Sequence, residues 1–121
     1  MPTTVFHYEK CSTCVKARRW LTDHKIVVNL RPIVEQPPSL TALRDLWKRS
    51  GLPLKKFFNT SGLSYRALDR EKLESMSDEE KLGLLAADGK LIKRPILDDG
   101  RNVLVGFDAD AYAAWAESRG E

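Results

Sequence analysis

Cys11 and Cys14 are the only two cysteines in the chain, and Ser12 and Thr13 separate them. A cysteine is a nucleophile only as the thiolate, so its chemistry depends on surroundings that favour the anion. The pair follows a short apolar–polar run over residues 3–8 and precedes a segment whose apolar residues recur at helical spacing. That junction sets the thiols at a helix N-terminus, where unpaired backbone N–H groups and the positive dipole end both stabilise negative charge. Lowering a cysteine pKa from about 8.5 to about 6.5 raises the thiolate fraction at neutral pH from a few per cent to about three quarters. One sulfur of such a pair attacks, and the second, a helical turn away, captures the adduct as a disulfide. Two other readings fit the same residues: a pair of inert core thiols, or half of a zinc site. Zinc needs two further ligands, and His7 and His24 are the only histidines. His7 could turn toward the cysteine loop, whereas His24 falls at the far end of the following helix, about 15 Å away by helical rise.

The elements that must hold these groups are legible from spacing. Residues 4–8 read as a first strand, and Ala17, Trp20 and Leu21 share one face of the helix after the cysteines. A second apolar run, Ile26 to Leu30, follows after a short connection, which predicts a βαβ unit with parallel strands. Pro37 and Pro38 stop the extended chain. Ser39 then caps a helix carrying Leu40, Leu43, Leu46 and Trp47, which ends near Ser50 and Gly51. The middle of the chain is polar and helical, with a short helical turn over residues 55–59 and a loop over 59–62. Ser77 to Glu80 form a capping box for a helix through Leu82, Leu84 and Leu85, closed near Gly89. Ile96–Leu97 and Val103–Val105 flank Asp98-Asp99-Gly100-Arg101, a hairpin signal. Asp108 caps a last helix whose Ala111, Tyr112 and Trp115 face the sheet. All three tryptophans fall on apolar helical faces and are expected in the core. The order predicts an α/β thioredoxin-like fold with a mixed four-stranded sheet. A helical insertion over about residues 37–90 separates the βαβ unit from the C-terminal hairpin, all within a single domain spanning 1–121.

Composition narrows the function classes. With 20 basic and 17 acidic residues interleaved along 121 positions, the net charge of +3 is too mild to argue for direct nucleic-acid binding. Hydrophobic residues make up 42% and charged residues 31%, as in an ordinary water-soluble domain. No run approaches eighteen apolar residues, so no membrane span is expected. The first residues lack a basic stretch followed by an apolar one, so no secretory signal is read and a cytoplasmic location is expected. In a reducing compartment a CxxC pair cycles rather than acting as a staple. Nothing calls for a bound cofactor or metal.

Several stretches together resemble the ArsC/Spx/YffB family of thioredoxin-fold proteins. They are Lys10-Cys11-Ser12-Thr13-Cys14-Val15-Lys16-Ala17, Pro37-Pro38-Ser39 with Leu43, Gly51-Leu52 leading to Phe57-Phe58-Asn59 and Tyr65, and Leu91-Ile92-Lys93-Arg94-Pro95-Ile96 followed by Gly106-Phe107. The resemblance implies that Cys11 is the nucleophile, that Arg94 stands beside it, and that Pro95 is a cis proline facing the cysteine loop. A guanidinium there stabilises a thiolate and can receive an oxyanion or a carboxylate through forked hydrogen bonds. Lys10, next to Cys11, adds charge of the same sign, while Ser12 and Thr13 offer amides or hydroxyls to a bound anion. Arsenate reductases of this family surround the cysteine with three arginines; here only Arg94 matches, and Asn59 and Gly106 align with the other two. Cys14 departs from the glutaredoxin-coupled arsenate reductases and agrees with Spx-type redox regulators, which contact the α subunit of RNA polymerase.

The reading that results is a thiol–disulfide oxidoreductase. Cys11 attacks a small thiol, disulfide or oxyanion substrate, Cys14 resolves the adduct, and glutathione or thioredoxin supplies the reducing equivalents. Its catalytic residues are Cys11, Cys14 and Arg94, with Lys10, Ser12, Thr13, Pro95 and Asn59 on the substrate side. The alternatives are arsenate reduction coupled to glutaredoxin or thioredoxin, and a Spx-like regulator that binds RNA polymerase.

Overall fold

A computed structural model describes residues 3–119 of the chain. At its centre β1 (Thr4–His7) pairs in parallel with β2 (Asn29–Pro32) and antiparallel with β3 (Ile96–Asp98). β3 in turn pairs antiparallel with β4 (Val103–Val105), giving a mixed four-stranded sheet in the order β2-β1-β3-β4. Side chains alternate across a strand, so Val5 and Leu97 enter one core while Phe6 and Ile96 enter the other. The first core lies under α1 (Ser12–Asp23) and α6 (Ala109–Arg119) and contains Ala17, Leu21, Tyr112 and Trp115. The opposite face carries the helices that run between β2 and β3. These are α2 (Leu40–Ser50), α3 (Leu63–Arg66), α4 (Arg70–Ser75) and α5 (Asp78–Ala87), with 3-10 turns at Leu54–Phe57 and Gly89–Leu91. Leu43, Phe57, Leu82, Leu85 and Ile92 are sealed in this second core. The fold is thioredoxin-like, as the order of elements predicts.

Local chemistry accounts for the helix ends. The Ser39 hydroxyl accepts from the Ala42 N–H at 3.1 Å, and Gly51 takes the left-handed conformation (φ 69°) that stops α2. Ser77 and Glu80 satisfy each other's backbone N–H groups, a complete capping box at the start of α5. An Asp69 carboxylate oxygen accepts from the Glu71 and Lys72 N–H groups and so defines α4 within the polar middle. Asp108 Oδ2 accepts from the Ala111 N–H at 3.1 Å in the last helix.

Three expectations need correction. The second strand is Asn29–Pro32 rather than residues 26–30. After α1 the chain reverses through Lys25, whose φ is 57°, and Ile26 N–H donates back to the Leu21 carbonyl. Ile26 and Val28 therefore pack against the α1 side of the core, Val27 is 90% exposed, and β1 is reached only at Asn29. The apolar run belongs to the connection, and the strand itself is an edge strand with mostly exposed residues. Secondly, only Trp115 is buried; Trp20 and Trp47 are half-buried at the rims of the two cores. At the rim Trp47 donates its indole N–H to the Leu52 carbonyl at 2.9 Å, and Trp20 stacks on His24. Thirdly, Tyr8 lies outside β1, which ends at His7.

Candidate active site

Strand register assembles the site. β1 meets β3 with Phe6 opposite Ile96, so the chain just beyond each strand, Tyr8 on one side and Arg94–Pro95 on the other, comes to the same end of the sheet. The Arg94 guanidinium stands over the Tyr8 ring, 4.9 Å from its centroid. The Arg94–Pro95 peptide bond is cis. β3 meets β4 with Ile96 opposite Val105, and continuing that ladder by one residue lets the Gly106 N–H donate to the Pro95 carbonyl at 2.8 Å. Three chain segments thus converge where β1 runs out into the cysteine loop.

Cys11 is the N-cap residue of α1, and no side chain caps the helix. The first turn carries no acidic residue, so the N-terminal amides face outward without a competing charge. The Cys11 N–H donates to the Tyr8 carbonyl at 3.1 Å, which folds the loop back onto the end of β1. Both cysteines are free thiols; Cys11 is partly accessible and Cys14 is fully buried. Their electrostatics diverge. Burial opposes the Cys11 thiolate, but the Cys14 backbone N–H, the Cys14 thiol and the Arg94 guanidinium together outweigh it, and the pKa falls below the ordinary cysteine value. Burial drives Cys14 the other way, to about 12, and its neighbour Cys11 adds to the rise. The Tyr8 N–H, donating to Cys14 Sγ at 3.4 Å, offsets only part of this. The result is one activated, reachable sulfur with a protonated, sheltered partner a helical turn away.

The other residues singled out from sequence fall around this centre. Pro95 is buried just before the start of β3. Ser12 is exposed and Thr13 half-buried in the first turn of α1, and Lys10 is exposed on the loop before Cys11. Asn59 spends its hydrogen bonds away from the sulfur. Its amide Nδ2 donates to the Lys90 carbonyl at 3.5 Å, the same oxygen that receives Arg94 Nη1 at 3.4 Å, and its Oδ1 accepts from the Ser61 hydroxyl. The two histidines face elsewhere. Arg18 Nη1 donates to His7 Nδ1 at 2.7 Å, and burial followed by the Arg18 charge lowers the His7 pKa. His24 donates through Nδ1 to the Trp20 carbonyl at 2.8 Å. Among the described residues no group of three or more His, Cys, Asp or Glu side chains is arranged to hold a metal ion.

Tyr8 is the residue that sequence reasoning missed. Its carbonyl holds Cys11, its N–H touches Cys14, and its ring carries Arg94. An aromatic three positions before a nucleophilic cysteine was the available signal, but its meaning depends on the β1–β3 register.

The structure thus combines a thioredoxin-like fold, a CxxC pair at the start of its first helix and a cis X-Pro bond at the N-terminal end of β3. Residues 6–115 match the model of the ArsC family, and the chain belongs to that family. It is 52% identical to the protein YusI of Bacillus subtilis (strain 168) over 118 residues, 96% of this chain and 100% of that one. An ArsC-family-related protein of Bacteroides fragilis has a crystal structure that superposes with a TM-score of 0.90 at 44% identity, covering 94% of this chain and 97% of that one. The global transcriptional regulator Spx of Streptococcus mutans is 27% identical, with 93% of this chain and 81% of the regulator aligned.

Proposed function

We propose that the protein is a thiol–disulfide oxidoreductase in which Cys11 attacks and Cys14 resolves. The carrying observation is the asymmetry of the pair: Cys11 is reachable and surrounded by stabilising N–H and guanidinium contacts, while Cys14 is buried and held protonated. The Cys11 thiolate attacks one sulfur of a small disulfide. A bond forms between Cys11 Sγ and that sulfur, the substrate S–S bond breaks, and the departing thiolate leaves with the electron pair. Cys14 then attacks Cys11 Sγ and expels the second substrate thiolate, which takes up the Cys14 proton. The protein ends with a Cys11–Cys14 disulfide, and the substrate has gained two electrons. Glutathione or thioredoxin restores the dithiol by the reverse exchange. Residues 1–121 act as one domain in this reading, supported by two cores that share a single sheet. A cytoplasmic location fits a pair that cycles, and no described helix is long and apolar enough to cross a membrane.

Thiol exchange is favoured over arsenate reduction because Asn59 engages the Lys90 carbonyl and Gly106 has no side chain. Arg94 is the guanidinium that lowers the Cys11 pKa. A second reading has specific support: the similarity to Spx admits a redox regulator that contacts the α subunit of RNA polymerase. Trapping separates the three. Cys14→Ser incubated with a small disulfide should accumulate a mixed disulfide on Cys11, seen by mass, while Cys11→Ser should give none and lose turnover. Arsenate-dependent NADPH consumption in a glutaredoxin- or thioredoxin-coupled assay would favour the reductase. Oxidant-dependent capture of the C-terminal domain of the polymerase α chain, with no turnover, would favour the regulator.

A further inference from the structure

An open groove of about 480 Å³ leads away from the cysteine site between the first turn of α1 and the β4–α6 connection. Thr13, Gly106, Phe107 and Asp108 line it together with two lysines, Lys56 and Lys93. Chain connectivity links the groove to the end of the sheet that carries the cysteine loop. Thr13 is two residues beyond Cys11, and Gly106 donates to the carbonyl of Pro95. Lys93 and Arg94 are consecutive and diverge, so Arg94 acts on Cys11 while Lys93 lines the groove. The Lys93 stem reaches across Gly106: a Cβ added at Gly106 would lie 3.6 Å from Lys93 Cε. A lysine from the neighbouring segment therefore occupies the side of Gly106 where a larger residue there would have projected.

Charge balance gives the groove its sign. Against the two lysines the lining carries one carboxylate, Asp108, which accepts the Ala111 N–H as the N-cap of α6 and keeps its charge, so the lining is net positive by one. Among the described residues neither Lys56 nor Lys93 makes a salt bridge. The uncapped N-terminus of α1, with no acidic residue in its first turn, adds positive potential at the near end. We propose that this groove selects thiol and disulfide substrates that carry a carboxylate, with Lys56 and Lys93 pairing the acid group while the substrate sulfur meets Cys11. The inference rests on the thiol–disulfide reading above and adds the substrate class to it.

Two disulfide probes test both levels separately: the dianionic dithiobis(nitrobenzoate) and the neutral dithiodipyridine, each timed against wild-type protein and the Lys56→Gln/Lys93→Gln double variant. The expected result is a fall in the anionic-to-neutral rate ratio of about two- to fivefold per lysine, as for partly exposed charge pairs. In wild type the ratio should also drop with added salt. Lys93→Arg should keep the ratio, which guards against a loss caused by altered packing over Gly106. A ratio unchanged in the double variant, with a fast neutral-probe rate, overturns the groove while leaving the Cys11 reading intact. A wild-type neutral-probe rate no faster than that of free cysteine overturns both.

Discussion

At the scale of single residues the site depends on contacts that converge on two sulfurs. Tyr8 touches all three members of the centre through its carbonyl, its N–H and its ring. The ring holds the Arg94 guanidinium by a cation–π contact worth about 0.5–1 kcal/mol at a partly exposed position. Losing it lets Arg94 drift and weakens one of the contacts that stabilise the Cys11 thiolate. Tyr8→Leu is therefore expected to raise the pH midpoint of Cys11 alkylation by roughly half a unit, given about 1.4 kcal/mol per unit. Tyr8→Phe, which keeps the ring, should match wild type. An unchanged midpoint in Tyr8→Leu would remove the residue from the site. None of this was legible from sequence, because Tyr8 reads there as the last residue of a strand. The placement of Cys11 at the start of α1 was legible, since a strand-to-helix junction needs only local signals; which of the two sulfurs attacks was an expectation drawn from the family resemblance.

At the scale of elements the sequence spoke most clearly where side chain and backbone interact within a few residues. The Ser39 and Ser77 caps, the Gly51 stop and the Asp98–Arg101 hairpin all appear where their local chemistry places them. It spoke least clearly where an element is defined by a distant partner. β2 carries little apolar signal because it is an edge strand, and the apolar residues before it line a connection instead. Gly89 is another such position. It begins the turn that closes the inserted helices, and a Cβ there would overlap the Ile33 carbonyl oxygen and lie 2.7 Å from Val34 Cα. Backbone atoms cannot yield as a side chain can, so Gly89→Ala is expected to cost about 1–3 kcal/mol. Urea unfolding measures this directly, and a midpoint equal to wild type would refute the close approach. The same residue looks like an ordinary helix terminator in the sequence.

Across the whole molecule, one sheet separates two cores and delivers its central strand end to the cysteine loop. The inserted helices are tied to the sheet by Arg49, which donates to Asp98 Oδ1 at 2.7 Å and to Asp45 Oδ2 at 2.9 Å. Fold and family were readable from the order of motifs, since the cysteine pair and the Arg94–Pro95 segment lie near opposite ends of the chain yet belong to one pattern. The groove was not readable, because Lys56, Lys93 and Gly106 come from the turn after α2, the chain before β3 and the chain after β4, and meet only in the folded protein. Function turns on whether that folded whole makes one cysteine reactive and keeps the other silent. Site-resolved alkylation with iodoacetamide across pH, quantified by peptide mass, measures this most directly. A thiol whose pKa is lowered reacts at lower pH, and one raised to about 12 stays protonated until strongly alkaline conditions. The expected result is a Cys11 midpoint clearly below the ordinary cysteine value of about 8.5, with Cys14 unmodified throughout the neutral range. A Cys11 midpoint at or above that value, or equal labelling of the two cysteines, would contradict the proposed chemistry.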